Sequence, residues 1–343
     1  MKVDVIQCPE LLRMGGYNAT GSPETKSQAL RASGEIMDNS INPTTAPDKL
    51  RGFLDSIGSF SEDLILWYSL EQRLYHYTNL DGLNAIVANN DLWLTHAQYC
   101  NDEEELTRGL QVTQSVIQEQ AKSSDAKQRE YLDELSNLLD STCLEAVYIC
   151  CFCEKDDLLS QWRAYAANAT GVSLECEPTG FNYITGPDCP PAVGLMRFWK
   201  VFYKMETQQK IIRSAIKYYP SFEPNAVPAD WARWTAEAIR FFLPTFKNDA
   251  FAEEKEWRLI FTPTPNNATQ PSYRVARGML IPHYSLKELA AHLGQVDHKL
   301  PLTAVRIGPS PNKRLNAASA RMLLDRHGYS NVRVNVSESP YRG

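Results

Sequence analysis

The sequence lacks any run of about 20 apolar residues, the length that a helix needs to cross a bilayer. Its first residues, Met1-Lys2-Val3-Asp4, lack the apolar stretch of a signal peptide. These absences predict a soluble, cytoplasmic protein with no membrane partner. An excess of positive charge is missing as well, because the formal net charge is -6. This acidic balance weakly disfavours an extended surface for nucleic acid.

The eight cysteines do not form the framework of a disulfide-stabilised protein, because they are scattered over a long chain. Cys150 and Cys153 have the C-x-x-C spacing of redox and zinc sites. They lie, however, in the apolar run 146–153, which is typical of a buried strand rather than of the turn or helix start that such sites use. No second cysteine pair or nearby histidine completes a metal site. We therefore expect reduced, buried thiols and no bound metal.

The sequence does contain the composition of a packed globular protein, with 43% hydrophobic and 22% charged residues. Residues 1–45 mix small and polar residues without a period, which predicts a loosely ordered N-terminal arm. Residues 46–343 alternate strand and helix patterns and predict a single α+β domain. Two helical stretches, at about 102–142 and 205–246, are predicted as insertions, the first of them as two surface helices.

The segment 254–258 places two carboxylates and a guanidinium at the start of a strand. Period-two alternation puts Glu256 and Arg258 on one face, with Glu254 two residues earlier. A carboxylate at the mouth of a strand can stabilise a sugar that becomes positively charged during a reaction, as an oxocarbenium ion does. Arg258 could orient that carboxylate. The alternative is a surface salt bridge at a strand edge, which is the commoner role of such a motif.

A second candidate lies in the predicted strand Tyr75-His76-Tyr77-Thr78. Alternation points His76 away from Tyr75 and Tyr77. An imidazole in this position can hydrogen-bond a ribose hydroxyl or an amide through either ring nitrogen. The alternative is a structural histidine whose hydrogen bonds are satisfied inside the protein.

A third candidate is the helix start 161–165. Trp162 and Tyr165 lie three residues apart and share a helix face, so they could stack on a flat ring such as nicotinamide. Core packing of the same face explains them equally well. The acidic stretch that begins with Asn101 and Asp102 is explained by helix capping without any function.

Taken together, these segments resemble a bacterial family known only as domain of unknown function 2971. The resemblance covers roughly residues 73–262, with its motifs in the same order. Its pieces are Leu74–Thr78 with Leu83 and Ile86, Leu92-Trp93-Leu94, Asn101-Asp102 with Glu105, Leu159, Trp162, Tyr165 and Gly171, and Lys247 with Phe251–Ile260. No settled activity is implied by that resemblance alone.

The order of motifs is also similar to that of the ADP-ribosyltransferase superfamily. The similarity implies a mixed or split β-sheet core with helical insertions, and NAD as the cofactor of a glycosyl-transfer reaction. It assigns NAD binding to His76 on an early strand, nicotinamide stacking to Trp162 or Tyr165, and the catalytic glutamate to Glu256. It makes Glu254 the first acid of an E-x-E motif that positions the acceptor. Tyr75, Tyr77 and Arg258 complete the predicted NAD-binding set.

This chain departs from that superfamily in two ways. Its middle element lacks the spaced tyrosine pair of the histidine-type transferases, and its helical stretches are longer than a minimal transferase needs. The acceptor is open between protein, nucleic acid and water.

Two other functions fit the candidate residues. One is a sensor or nucleotide-binding domain without turnover, in a bacterial defence or toxin system. The other is a metal-dependent nuclease that uses Asp102, Glu105, Glu254 and Glu256.

Overall fold

The fold is a mixed α+β structure built around the cysteine-rich run, which forms the central strand. The computed structural model describes residues 46–58, 72–100, 103–140, 146–185, 194–264, 269–276 and 278–340. These residues all fall in one compact unit, Thr44–Gly343. The N-terminal arm predicted for residues 1–45 lies outside the described residues.

Ten strands are present in the described ranges. They are β1 (Leu74–Thr78), β2 (Trp93–His96), β3 (Tyr148–Cys153), β4 (Val172–Cys176), β5 (Gly194–Lys200), β6 (Glu256–Pro263), β7 (Ser272–Ala276), β8 (Met279–Ser285), β9 (Leu302–Ile307) and β10 (Arg333–Val336). Strand β3 is buried at five of its six positions, which confirms the prediction of a buried strand. Cys150 packs in the main apolar core, and Cys153 packs in a smaller apolar cluster with Tyr77 and Trp162.

Ten α-helices accompany these strands in the same ranges. They are α1 (Ala46–Gly58), α2 (Leu80–Asn89), α3 (Glu103–Ala121), α4 (Ala126–Leu138), α5 (Leu159–Tyr165), α6 (Asn182–Thr185), α7 (Met205–Phe222), α8 (Pro228–Phe242), α9 (Leu286–His292) and α10 (Lys313–Arg326). The side chain of Asn79 accepts a hydrogen bond from the Gly82 amide and so caps α2. None of the helices in the described ranges combines the length and apolar character that crossing a membrane requires.

The sheet divides at β3. One edge of β3 pairs antiparallel with β6 over all six of its residues. The other edge carries two different strands: β1 pairs with Cys153 through Tyr75, whereas β2 pairs with Tyr148 and Ile149 at the opposite end. Because β1 and β2 leave this edge at opposite ends, the middle of the edge, residues 150–152, faces a gap between them. We call this divergence the fork.

Two branches of the sheet extend from the fork. The first branch continues from β1 through β4 and β9 to β10, and β9 and β10 are parallel. The second branch continues from β2 through β8 to β7. Strand β5 pairs with the remaining edge of β6. The result is a mixed, open sheet in which β6 lies in the interior between β3 and β5.

The two predicted helical insertions pack against each other. Helix α4 packs on α8, α3 packs on α7, and α7 packs on α8. The Tyr131 hydroxyl lies 2.8 Å from the Thr235 hydroxyl and donates to the Ile216 carbonyl oxygen. Leu132 and Leu135 are fully buried. The first stretch therefore forms two helices whose outer faces are exposed and whose apolar stripes are covered by the second stretch, in agreement with the prediction of two surface helices.

Candidate functional site

A cavity of about 580 Å³ opens at the fork and contains most of the residues predicted as a site. Its volume lies within the usual range of about 300–1,000 Å³ for ligand pockets. Residues of both branches line it, together with the shared strands β3 and β6, helix α5 and the segment that precedes β6. The predicted residues that line it are Tyr75, His76, Tyr77, Tyr165, Glu254, Glu256 and Arg258.

Four charged side chains form a buried cluster at one end of the cavity. Arg258 donates from Nε and Nη2 to the two carboxylate oxygens of Glu256, at 2.7 and 3.0 Å. Lys247 Nζ lies 2.6 Å from Glu254 Oε2 and 3.0 Å from Glu256 Oε2. Arg258 Nη1 also donates to the Pro244 carbonyl oxygen at 2.7 Å. We call Lys247, Glu254, Glu256 and Arg258 the charge cluster; it contains two negative and two positive groups.

Glu256 is ionised throughout the physiological pH range. Its burial opposes ionisation, but the positive charges of Arg258 and Lys247 outweigh burial and lower its pKa from 4.5 to about 2. The Cys151 thiol also hydrogen-bonds this carboxylate, and burial followed by the Glu256 charge raises the pKa of that thiol well above its usual value. The Glu256 carboxylate is therefore a negative charge whose position is fixed by hydrogen bonds from Arg258, Lys247 and Cys151.

Local backbone structure explains how the two glutamates reach the same lysine. A short 3-10 helix, Asp249–Glu254, ends at Lys255, whose φ of 45° reverses the chain immediately before β6 begins. The Glu256 amide donates to the Tyr203 hydroxyl at 2.8 Å, which fixes the first residue of the strand. Because the segment that carries Pro244 and Lys247 covers this face of β6, Glu256 and Arg258 are buried. The alternative of a surface salt bridge at a strand edge is therefore wrong.

The side chain of His76 reaches across the gap at the fork and bonds the unpaired edge of β3. Its Nδ1 lies 2.9 Å from the carbonyl oxygen of Cys151, in the middle of the unpaired edge of β3. A carbonyl oxygen only accepts hydrogen bonds, so Nδ1 carries the proton and Nε2 of the neutral ring is an acceptor. Burial lowers the pKa of His76 below 6.5, which keeps the ring neutral at pH 7. The ring also packs against Phe152, with centroids 5.7 Å apart.

The two tyrosines of β1 have different surroundings. Tyr77 is nearly buried, accepts a hydrogen bond from the Leu158 amide at 3.0 Å and donates to the Lys155 carbonyl oxygen at 2.8 Å. It therefore anchors the loop between β3 and α5. Tyr75 is half-buried, and burial raises its pKa to about 12, so it lines the cavity as a neutral phenol.

The predicted pair of stacking aromatics separates in the structure. Trp162 is fully buried, donates from its indole nitrogen to Asp157 at 2.6 Å and packs edge-on against Tyr77. It is not among the residues that line the cavity, so its predicted role in stacking nicotinamide is wrong, and core packing accounts for it. Tyr165 does line the cavity, and its hydroxyl donates to Glu254 Oε1 at 3.3 Å.

Several cavity residues were not assigned a role from the sequence. Lys247 belongs to a short segment without periodicity, and only the structure shows that it bridges the two glutamates. The sequence predicts a buried core position for Cys151. Trp93 and Arg274 belong to the second branch and line the far end of the cavity. Trp93 and Lys247 belong to the motifs that carry the family resemblance, but that resemblance gives them no role, and strand pairing brings these residues together from distant parts of the chain.

Metal binding finds no support in the described part of the chain. Within it, no group of three or more histidine, cysteine, aspartate or glutamate side chains could hold a metal ion. Glu254 and Glu256 are engaged with Lys247 and Arg258. The side chains of Asp102 and Glu105, predicted as further ligands of a nuclease, lie outside the described residues.

Part of this chain is similar to a known family of proteins. Residues 161–259 match the model of a family described as protein of unknown function (DUF2971). The matched segment contains Tyr165 and the whole charge cluster, but it excludes β1, β2 and the strands β7 and β8. Searches of curated proteins and of solved structures found no match. The description of the matched family names no activity, so the function has to be argued from the site.

Proposed function

We propose that this protein is an NAD-dependent, ADP-ribosyltransferase-like enzyme whose reaction centre is the charge cluster. The observation that carries the proposal is that the neutral ring of His76 and the ionised carboxylate of Glu256 line one cavity. The sequence similarity assigns these residues to NAD binding and to catalysis. Their meeting at the fork of a divided sheet supports the proposal, because the similarity implies a split sheet.

The residues of the cavity fit the chemical groups of a dinucleotide. Nε2 of the neutral His76 can accept a hydrogen bond from a ribose hydroxyl. The half-buried phenols of Tyr75 and Tyr165 offer flat surfaces on which a base or nicotinamide ring can stack. The role of the bound NAD is to supply a ribose that becomes positively charged when its bond to nicotinamide breaks.

Glu256 would act through its fixed negative charge. A carboxylate held in place before the reaction stabilises positive charge on the ribose without having to reorganise. Arg258 keeps the carboxylate in one orientation through two hydrogen bonds, so it is a positioning residue. With a pKa of about 2, Glu256 does not accept a proton at neutral pH. Glu254 is less buried and contacts Tyr165, which makes it the better candidate for positioning the acceptor.

The test is nicotinamide release from NAD by purified wild type and Glu256→Gln protein. Glu256→Gln should lower the rate on the order of 100-fold, because the amide has no charge to stabilise the ribose. Glu253→Gln, which alters an exposed neighbouring acid, is the matched control and should leave the rate unchanged. Glu254→Gln, assayed with protein, nucleic acid and water as acceptors, separates the two glutamates. Equal rates in wild type and Glu256→Gln would remove Glu256 from the reaction.

A second candidate function, a nucleotide sensor without turnover, is favoured by one specific observation. Both oxygens of Glu256 already accept hydrogen bonds from cations of the protein, and the charge cluster as a whole is balanced. Such a site could bind NAD and signal its presence, for example within a bacterial defence or toxin system. Calorimetry with NAD and the release assay separate the two functions, since a sensor binds NAD but releases no nicotinamide.

A further inference from the structure

We propose that the far end of the cavity, formed by Trp93 and Arg274, binds the nucleoside diphosphate half of the ligand. This inference rests on the proposed function, in which the reacting ribose lies at the charge cluster. It assigns a ligand group to a part of the cavity for which neither the sequence similarity nor the family match provides a role.

The two ends of the cavity lie on different strands. Glu256 and Arg258 of the charge cluster lie on β6, and β3 and β2 follow across the sheet. Neighbouring strands lie about 4.8 Å apart, so β2, which carries Trp93 and the Thr95 hydroxyl that Arg274 contacts, lies about 10 Å from β6. An extended ligand with two heads can therefore contact both ends.

Trp93 presents a fixed aromatic surface at this end. Its side chain is 42% exposed although it lines the cavity. The indole nitrogen donates to Asp91 Oδ2 at 3.1 Å, and the ring of His283 packs against the indole with centroids 4.3 Å apart. An exposed indole that is held in place loses little freedom when a base stacks on it, so it is well suited to binding a purine.

Arg274 brings a guanidinium to the same place. It is paired with Ile281 in the β7–β8 ladder, and both side chains line the cavity. Its Nη2 donates to the Thr95 hydroxyl at 3.2 Å, and its guanidinium carbon lies 5.8 Å from the centre of the Trp93 ring. A planar guanidinium binds phosphate oxygens through paired hydrogen bonds. The positive and negative groups of the charge cluster balance, so Arg274 supplies attraction for a diphosphate that the cluster does not.

Together, an aromatic surface and a guanidinium about 6 Å apart suit the base and the phosphates of a nucleoside diphosphate, which are joined through one ribose. With this half bound at Trp93 and Arg274, the remaining half of a dinucleotide extends along β3 toward His76 and Glu256. The orientation of the ligand follows from this placement: its phosphates lie on the second branch, and its reacting ribose lies beside β6.

The experiment is calorimetric titration of the full-length protein with ADP and with adenosine. Trp93→Ala should weaken the binding of both probes by at least about 10-fold, because both lose the stacking surface. Arg274→Gln should weaken ADP by at least about 10-fold and adenosine by less than about threefold, because only ADP carries phosphates. Trp93→Phe and Arg274→Lys should show smaller losses, and they replace the first pair if either fails to fold.

Two control variants match these changes. Tyr273→Ala removes an exposed aromatic residue beside Arg274 that does not line the cavity, and Arg326→Gln removes an exposed arginine at the end of α10. Both should bind ADP as wild type does. Glu256→Gln should keep its ADP affinity within about threefold, because that end of the cavity binds the other half of the ligand.

The outcomes separate this inference from the proposed function. Weakened ADP binding in both Trp93→Ala and Arg274→Gln supports the inference even if NAD is never turned over, in which case only the enzymatic proposal fails. Wild-type ADP affinity in both variants overturns the inference, whatever the rate of nicotinamide release. The absence of ADP binding to the wild-type protein also overturns it.

Discussion

The charge cluster predicts how the stability of the protein depends on pH. The pKa of Glu256 is lowered from 4.5 to about 2 in the folded state. A group whose pKa is depressed on folding stabilises the protein above its unfolded pKa, and this contribution is lost as the pH falls toward the folded pKa. At about 1.36 kcal/mol per pKa unit, the contribution is about 3 kcal/mol above pH 5. About 2 kcal/mol of it should be lost between pH 6 and pH 3.

Urea unfolding of wild type and Glu256→Gln at pH 6 and at pH 3 measures this contribution. At pH 6 the variant should be less stable by about 3 kcal/mol or more, because the buried Arg258 loses the carboxylate that it bonds twice, and Lys247 keeps only Glu254 of its two carboxylates. Its free energy of unfolding should then fall by about 2 kcal/mol less than that of wild type on going to pH 3. Glu253→Gln, at an exposed position, should follow the wild-type dependence. Parallel pH dependences for wild type and Glu256→Gln would refute the argument.

Three further predictions concern the aromatic and imidazole groups. Tyr165→Phe removes the hydrogen bond to Glu254 and should slow acceptor transfer by less than about 10-fold with an unchanged melting temperature, measured by transfer kinetics and calorimetry. Trp162→Phe should lower the free energy of unfolding by about 1–3 kcal/mol, because Asp157 loses its hydrogen bond from the buried indole. NAD affinity should stay at the wild-type value. A loss of NAD affinity without a loss of stability would instead support the stacking role of Trp162. Burial lowers the pKa of His76 below 6.5, so any loss of NAD affinity caused by its protonation should be centred below pH 6.5; a loss centred at or above pH 6.5, measured by calorimetric titration across this range, would contradict this.

The sequence was informative where the pattern of a single element decides the outcome. The apolar run 146–153 predicts a buried strand, and β3 occupies it. The placement of Glu256 and Arg258 on one face of β6 followed from period-two alternation, and the two side chains do bond to each other.

The sequence was uninformative where the position of one element relative to another decides the outcome. Alternation along β6 cannot show whether its polar face meets solvent or a buried lysine, since that depends on the covering segment that carries Lys247. The helical spacing of Trp162 and Tyr165 placed them on one face, but α5 packs so that only Tyr165 reaches the cavity. Arg274 approaches Trp93 through the pairing of three strands, which no local pattern encodes.

The fork also determines what a bound molecule could do to the rest of the protein. Among the described strands, the two branches share no ladder of hydrogen bonds except through β3, where each is attached by only one or two residue pairs. A molecule that contacted His76 on one branch and Arg274 on the other would connect the two branches at β3, where few residues are paired. Binding would then reduce the local unfolding of both branches, out to β10 and β7, because a ligand that binds only the folded form stabilises that form.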